Sequence, residues 1–108
     1  MNEPLTESDC YGVLSNHRRR LILSVLQRTG GGSLATNALV DRVAAREYRA
    51  PTEGERCKVH VSLHHVHLPR LDDGGVVSWD REDGTVRRRP NFDILVHYAQ
   101  VLNEATTT

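Results

Sequence analysis

Between Val59 and Trp79 the apolar positions first follow a helical period, at Leu63, Leu68 and Leu71, and then give way to the strand-forming pair Val76-Val77. Gly74 and Gly75 stand at the junction, where a residue in the left-handed conformation ends a helix at little steric cost. Upstream, Thr52-Glu53-Gly54-Glu55 has the Thr-x-x-Glu spacing of a capping box, so the pattern predicts one long helix from Thr52 to the glycine pair. Pro69 lies inside it. With no N–H for the carbonyl of His65, a proline there costs about 3 kcal/mol in an ordinary helix and predicts a bend. Beyond the glycines, Val-Val-Ser-Trp-Asp and Thr-Val-Arg-Arg-Arg flank Arg-Glu-Asp-Gly, which reads as two short strands around an Asp-Gly turn, closed by Pro90.

Shorter elements lie on either side. Thr6 to Asp9 supplies side-chain oxygens and acids for a helix start, and a short helix runs through Tyr11, Val13 and Leu14 to a break at Ser15-Asn16. Asn16 caps a second helix to about Arg28, apolar almost all round through Leu21, Ile22, Leu23, Val25 and Leu26 and therefore central. Gly30 to Gly32 ends it, Ser33-Leu34 forms a brief strand, and Thr36 caps a helix through Tyr48 with Leu39, Val40 and Val43 as its buried stripe. Ala50, ahead of Pro51, is pushed away from helical angles, so the chain turns there. Asn91 caps a last helix, 91–104, which carries more apolar residues than one face can hold. Together these elements predict a mainly α chain with a small β-hairpin wing, an α+β winged helix-turn-helix spanning 9–104, with 1–8 as an N-terminal tail and 105–108 as a tail that frays.

Two stretches also resemble a known family. His67-Leu68-Pro69-Arg70-Leu71-Asp72-Asp73-Gly74-Gly75-Val76-Val77 is similar to the HLxxLxxxGLV signature that ends the recognition helix of ArsR-type winged-helix regulators, and Asn16 to Leu26 is similar to the xxRxxILxxL of their second helix. The fuller strings LSNHRRRLIL, LHHVHLPRL and GGVVSWD resemble more closely still a group of small haloarchaeal winged-helix proteins. The resemblance runs from about residue 10 to 104, and departs from compact ArsR-type proteins in the longer segment from Ala45 to Lys58. It implies a homodimeric, DNA-binding transcription regulator. Winged helices also serve as protein-interaction modules, so that use stays open as well.

One hundred and eight residues, 38% of them hydrophobic and 26% charged, make one ordinary globular domain rather than a disordered chain. The apolar runs fall short of the about 20 residues a membrane helix needs, and Met1-Asn2-Glu3-Pro4 is no signal peptide, so a cytosolic protein without a membrane partner is expected. Cys10 and Cys57 lack a Cys-x-x-Cys arrangement and are read as reduced. Fourteen basic and fourteen acidic residues cancel, which counts against nucleic-acid binding only if charge is averaged over the molecule. The charge is uneven: Arg18 to Arg20 and Arg87 to Arg89 are basic triplets, and the acids gather at 3–9, 53–55 and 72–83.

The candidate chemistry follows in part from the resemblance, which implies that the long helix enters the groove, with His65 near the Ser of the family's SxHL pattern, and that the start of the second helix lies near the DNA backbone. Arg56, Lys58, Ser62 and His65 on the long helix are the side chains expected to reach bases or phosphates; Arg18 and Arg19 are candidates for phosphate at the start of the second helix, with an ion pair to an acid such as Asp9 as the bland alternative. Arg87 and Arg89 face the same side of a strand and are the candidates for a wing contact, whereas Trp79 reads as wing support. His60, His64 and His67 share one helix face with Cys57 nearby, a spacing that can chelate a divalent metal and would make a metal-responsive repressor. The alternative is that His67 packs in the core and the others lie near the groove, and no cofactor is expected. The surplus apolar residues of the last helix predict a two-fold contact formed by Tyr11, Leu14, Leu95, Tyr98, Ala99 and Leu102. There is no paired-carboxylate, triad or phosphate-loop arrangement, so an enzyme is not expected.

Overall fold

The computed structural model describes residues 4–107, and of 102–107 the backbone alone. In chain order the elements are α1 (Glu7–Leu14), α2 (His17–Arg28), β1 (Ser33–Ala35), α3 (Thr36–Glu47), α4 (Glu53–Ser62), a π-helical turn (Leu63–His67), α5 (Leu68–Asp73), β2 (Val77–Asp80), β3 (Thr85–Arg88) and α6 (Pro90–Thr107), with a single 3-10 turn at Gly30–Gly32. The strands form one antiparallel sheet in the order β1-β3-β2. This is the mainly α winged helix-turn-helix, with β2 and β3 as the wing.

Local sequence accounts for most boundaries. Thr6 and Thr52 each accept a hydrogen bond from the backbone N–H three residues on while Asp9 and Glu55 reach back, so both α1 and α4 begin in complete capping boxes. Asn16 accepts from the backbone of Arg19 and starts α2. At the end of α5, Gly75 takes φ +70°, its N–H donates to Asp72, and the N–H of Val76 donates to Leu71; this Schellman arrangement turns the chain straight into β2. Gly84, at φ +67°, closes the turn between β2 and β3.

Four expectations change. Thr36 does not cap α3: it is the first residue inside the helix, Ala35 is the cap, and the Thr36 hydroxyl is buried without a hydrogen-bond partner. Its backbone N–H instead donates to Gly84, tying α3 to the wing turn. Asn91 likewise lies within α6, which starts at Pro90, where a missing N–H costs nothing; its amide donates to the carbonyl of Gly74 and fastens α6 to the end of α5. The long helix does not simply bend at Pro69. A π-turn precedes the proline, with the N–H of Leu68 donating five residues back to Leu63, and the wider turn relieves the clash between the ring and the preceding carbonyls. The helical spans also outrun the expected domain limits, α1 beginning at Glu7 and α6 continuing through Thr107.

The core is continuous. Ile22 and Leu26 of α2, Leu39 and Val43 of α3, Leu63, Leu68 and Leu71, and Val86 of β3 are all fully buried. Leu34, Val86 and Trp79 stand side by side across the sheet on its inner face, whereas Ser33, Arg87 and Ser78 form the row facing outward. Phe92 and Leu95 of α6 fill the same core, so this helix folds back over its own domain and meets α1 through an edge-on contact of Tyr98 with Tyr11. No helix among the described residues is long and apolar enough to cross a membrane.

Candidate nucleic-acid interface

The candidate interface centres on α4 with its π-turn. Val59 and Leu63 point into the core and hold it against α3, which leaves Gly54, Cys57, Lys58, Val61, Ser62, His65 and Val66 along one open groove on its outer side. Val61 and Val66 are 47% and 52% exposed, high values for large apolar side chains on a well-formed helix. Among the described residues nothing covers them. Lys58 and His65 lie on the same side, and Arg87 stands exposed in the outward row of the wing.

Several predicted contacts are engaged inside the molecule. Arg19 is buried: its Nε donates to the carbonyl of Val13 at 2.9 Å, one terminal nitrogen to Gly12 at 3.0 Å, and the other lies 3.4 Å from Nδ1 of His67. It satisfies carbonyls that the end of α1 leaves open, as Arg20 does for Leu14 at 2.6 Å, and is not available to phosphate. Arg18 pairs through both nitrogens with Glu47 of α3, not with Asp9, so it too is lost to the interface. This pair holds the Glu47 carboxyl below the usual carboxylate range through its hydrogen bond to Arg18. Arg56 is drawn sideways into a pair with Asp41, though it stays partly exposed. Arg88 turns inward over the Phe92 ring, and the backbone N–H of Arg89, which is half-buried, donates to Val76. Of the predicted set, then, Lys58, Ser62 and His65 share the outer groove of α4, and Arg87 is exposed on the outward row of the wing.

The histidines divide the same way. His67 is buried, and burial, with Arg19, Arg18 and Arg70 nearby, pushes its pKa down to about 4. Because an arginine only donates, the facing Nδ1 must accept, which puts the proton of the neutral ring on Nε2. His64 donates from Nδ1 to the carbonyl of His60 at 2.9 Å, stacks on the His60 ring at 4.0 Å and meets Trp79 edge-on. Burial, then the neighbouring His64, lowers the His60 pKa. No group of three or more His, Cys, Asp or Glu side chains among the described residues is placed to hold a metal. His60 and His64 thus stay together, but His67 is buried in the core, and Cys57, His60, His64 and His67 form no common cluster. Trp79, flanked by His64 and with the Arg81 guanidinium 4.4 Å above its ring, braces the wing.

The predicted dimer contacts also separate. Leu14 and Leu95 belong to the chain's own core, because α6 packs across α1 rather than standing apart from it. Tyr11 remains exposed, Tyr98 and Ala99 are half-buried, and the side chain of Leu102 lies outside the described residues. Beside them is a groove of about 410 Å³ between α2 and α6, lined by Leu23, Ser24, Val96, Ala99 and Gln100. Sequence reasoning missed a further basic cleft, formed between α2 and α3 by Arg28, Arg42 and Arg46. These lie outside any run of like charge, and only the packing of two helices puts them together.

The fold places the chain in the broad class of winged-helix proteins. Residues 11–87, from within α1 to β3, match a family described as a domain of unknown function, DUF7344, and the chain belongs to that family. No curated protein and no solved structure matches it.

Proposed function

We propose that the chain is a DNA-binding transcription regulator that works in the cytosol as a homodimer. The observation that carries this reading is the outer face of α4 and the π-turn, where Lys58, Val61, Ser62, His65 and Val66 are presented with no covering element. A helix of this kind fits the major groove, and the β2–β3 hairpin with Arg87 follows the adjacent backbone. Lysine, serine and histidine reach base edges or phosphates, while exposed valines suit the C5-methyl of thymine. The likeness of the α2 and α5 motifs to ArsR-type regulators supports the same use. For the dimer, the α2–α6 groove lined by Leu23, Val96 and Ala99 offers a surface for α6 of a second copy, and Val101 of α6 is exposed.

The decisive experiment is a salt titration of binding to random duplex DNA by fluorescence anisotropy. Affinity should fall steeply with salt, with a shallower slope for Lys58→Gln and Arg87→Gln. Absence of binding at low salt would reject the reading. In that event a second reading takes its place, a winged-helix module that binds protein, which the zero net charge and the internal engagement of Arg18 and Arg19 favour.

A further inference from the structure

Arg28 in the last turn of α2 and Arg42 and Arg46 of α3 line, together with Val25 and Ala45, a single open cleft of about 280 Å³. None of the three guanidinium groups meets a carboxylate among the described residues. Arg42 rests 3.4 Å from the Thr29 hydroxyl and Arg46 lies 2.5 Å from that of Ser24, contacts that orient the cations without neutralising them. Arg88, which lies over the Phe92 ring, reaches the end of α2 with its guanidinium 3.4 Å from the carbonyl of Thr29 but does not line the cleft. The acids of α3 are engaged elsewhere, Glu47 by Arg18 of α2 and Asp41 by Arg56 of α4, while Arg19 and Arg20 of α2 are taken up by the carbonyls at the end of α1. α2 contains no acid at all. Arg42 and Arg46, four residues apart on one helix, repel each other, and Arg28 across the cleft adds to that cost. Placement at helix C-termini favours Arg28 and Arg46 singly, through the helix dipole, but does not call for gathering the three in one cleft.

We propose that this cleft docks an acidic segment of a partner protein. The cleft is too small and too open to enclose most of a small-molecule ligand, which points to a group projecting from a larger partner. Among larger partners, a DNA backbone presents phosphates along a ridge and makes no use of the apolar part of the lining, Val25 and Ala45. Glutamate and aspartate side chains bring methylene stems for Val25 and Ala45 and carboxylates for the guanidinium forks, a match of charge and shape in which arginine excels. The site lies on the flank of α3 turned toward α2, away from the Asp41–Arg56 flank that borders α4, so the partner can be held while the outer face of α4 is occupied.

The test is anisotropy of fluorescein-labelled decaglutamate with the whole chain at low salt. Saturable binding is expected, weakened about tenfold by Arg42→Gln and again by Arg46→Gln, with melting temperature unchanged, and altered less than twofold by Arg81→Gln, which removes the same charge at the wing. Three results would overturn the proposal: no saturable binding by the wild-type chain, equal weakening by Arg81→Gln and Arg42→Gln, or a loss of affinity for random duplex DNA in the Arg42→Gln, Arg46→Gln variant larger than that for decaglutamate. The last would make the cleft a phosphate site. DNA binding by the wild-type chain can fail without touching this outcome, so the two readings stand or fall separately.

Discussion

The two ends of α2 carry arginine for opposite purposes. At its start, Arg18, Arg19 and Arg20 form the most conspicuous basic run in the chain, yet they turn inward to Glu47, to the carbonyls of Gly12, Val13 and Leu14, and toward His67. At its end, Arg28 stands alone in sequence, yet it joins Arg42 and Arg46 in a cleft without carboxylates. A basic triplet after a helix break is close to the open carbonyls of the preceding helix, and those carbonyls draw it in. Cations scattered over two helices are drawn in by nothing nearby. Surface charge in a protein of zero net charge is therefore decided by what each arginine is folded against, not by where arginines crowd along the chain.

This contrast can be pressed hardest at Arg19. Replacing it with Met should lower unfolding free energy by about 4 kcal/mol in urea titrations, because two backbone carbonyls lose a charged donor in a buried setting. A loss below about 1 kcal/mol would mean that Arg19 is not the clamp it resembles.

His67 gives the next largest effect. Its pKa is 6.5 in an unfolded chain and about 4 in the folded one, so the folded state excludes a proton that the unfolded state takes up. Stability should be complete above pH 6.5 and fall by an amount on the order of 3 kcal/mol as the pH drops toward 4. Carboxylates such as Glu47, held down by Arg18, add losses at lower pH still. His67→Gln retains an acceptor for Arg19 but does not titrate, and should flatten the slope between pH 6.5 and 4; an unchanged slope would show that other groups carry it.

Arg18→Ala removes a partly exposed pair and should cost about 1 kcal/mol, read as a small drop in melting temperature. At the other end of the helix the sign reverses. Arg28→Gln relieves repulsion and should leave stability unchanged or raise it by about 0.3 kcal/mol, and a clear loss would imply that the cleft arginines serve folding after all.

The same division explains what could be read from the sequence. Element starts were legible because they rest on contacts within one turn: the capping boxes at Thr6 and Thr52, Asn16, and the glycine pair at the end of α5. Thr36 and Asn91 were misread because their partners, or the lack of one, are set by distant segments, and a cap and an interior polar residue share the same residue types. The outward positions of Lys58, Ser62 and His65 follow from helical phase. The exposure of Val61 and Val66 does not, since valine on a helix normally signals burial. Leu95 was assigned to a second copy because the pattern cannot say that α6 crosses α1 and completes the core.

The π-turn at Leu63–His67 holds one residue more than an α-helix would need to reach Leu68. Each helical residue advances the chain by about 100°, so that extra residue acts as a phase shifter between the part of the element that faces outward and the part that ends in the wing. Shortening the turn by one residue would let the segment relax toward a continuous α-helix, but Leu68 and Leu71 would swing out of the core and the hairpin would turn with them. The angle between α4 and the wing is in this sense a matter of counting, kept by a single residue that no hydrophobic pattern marks.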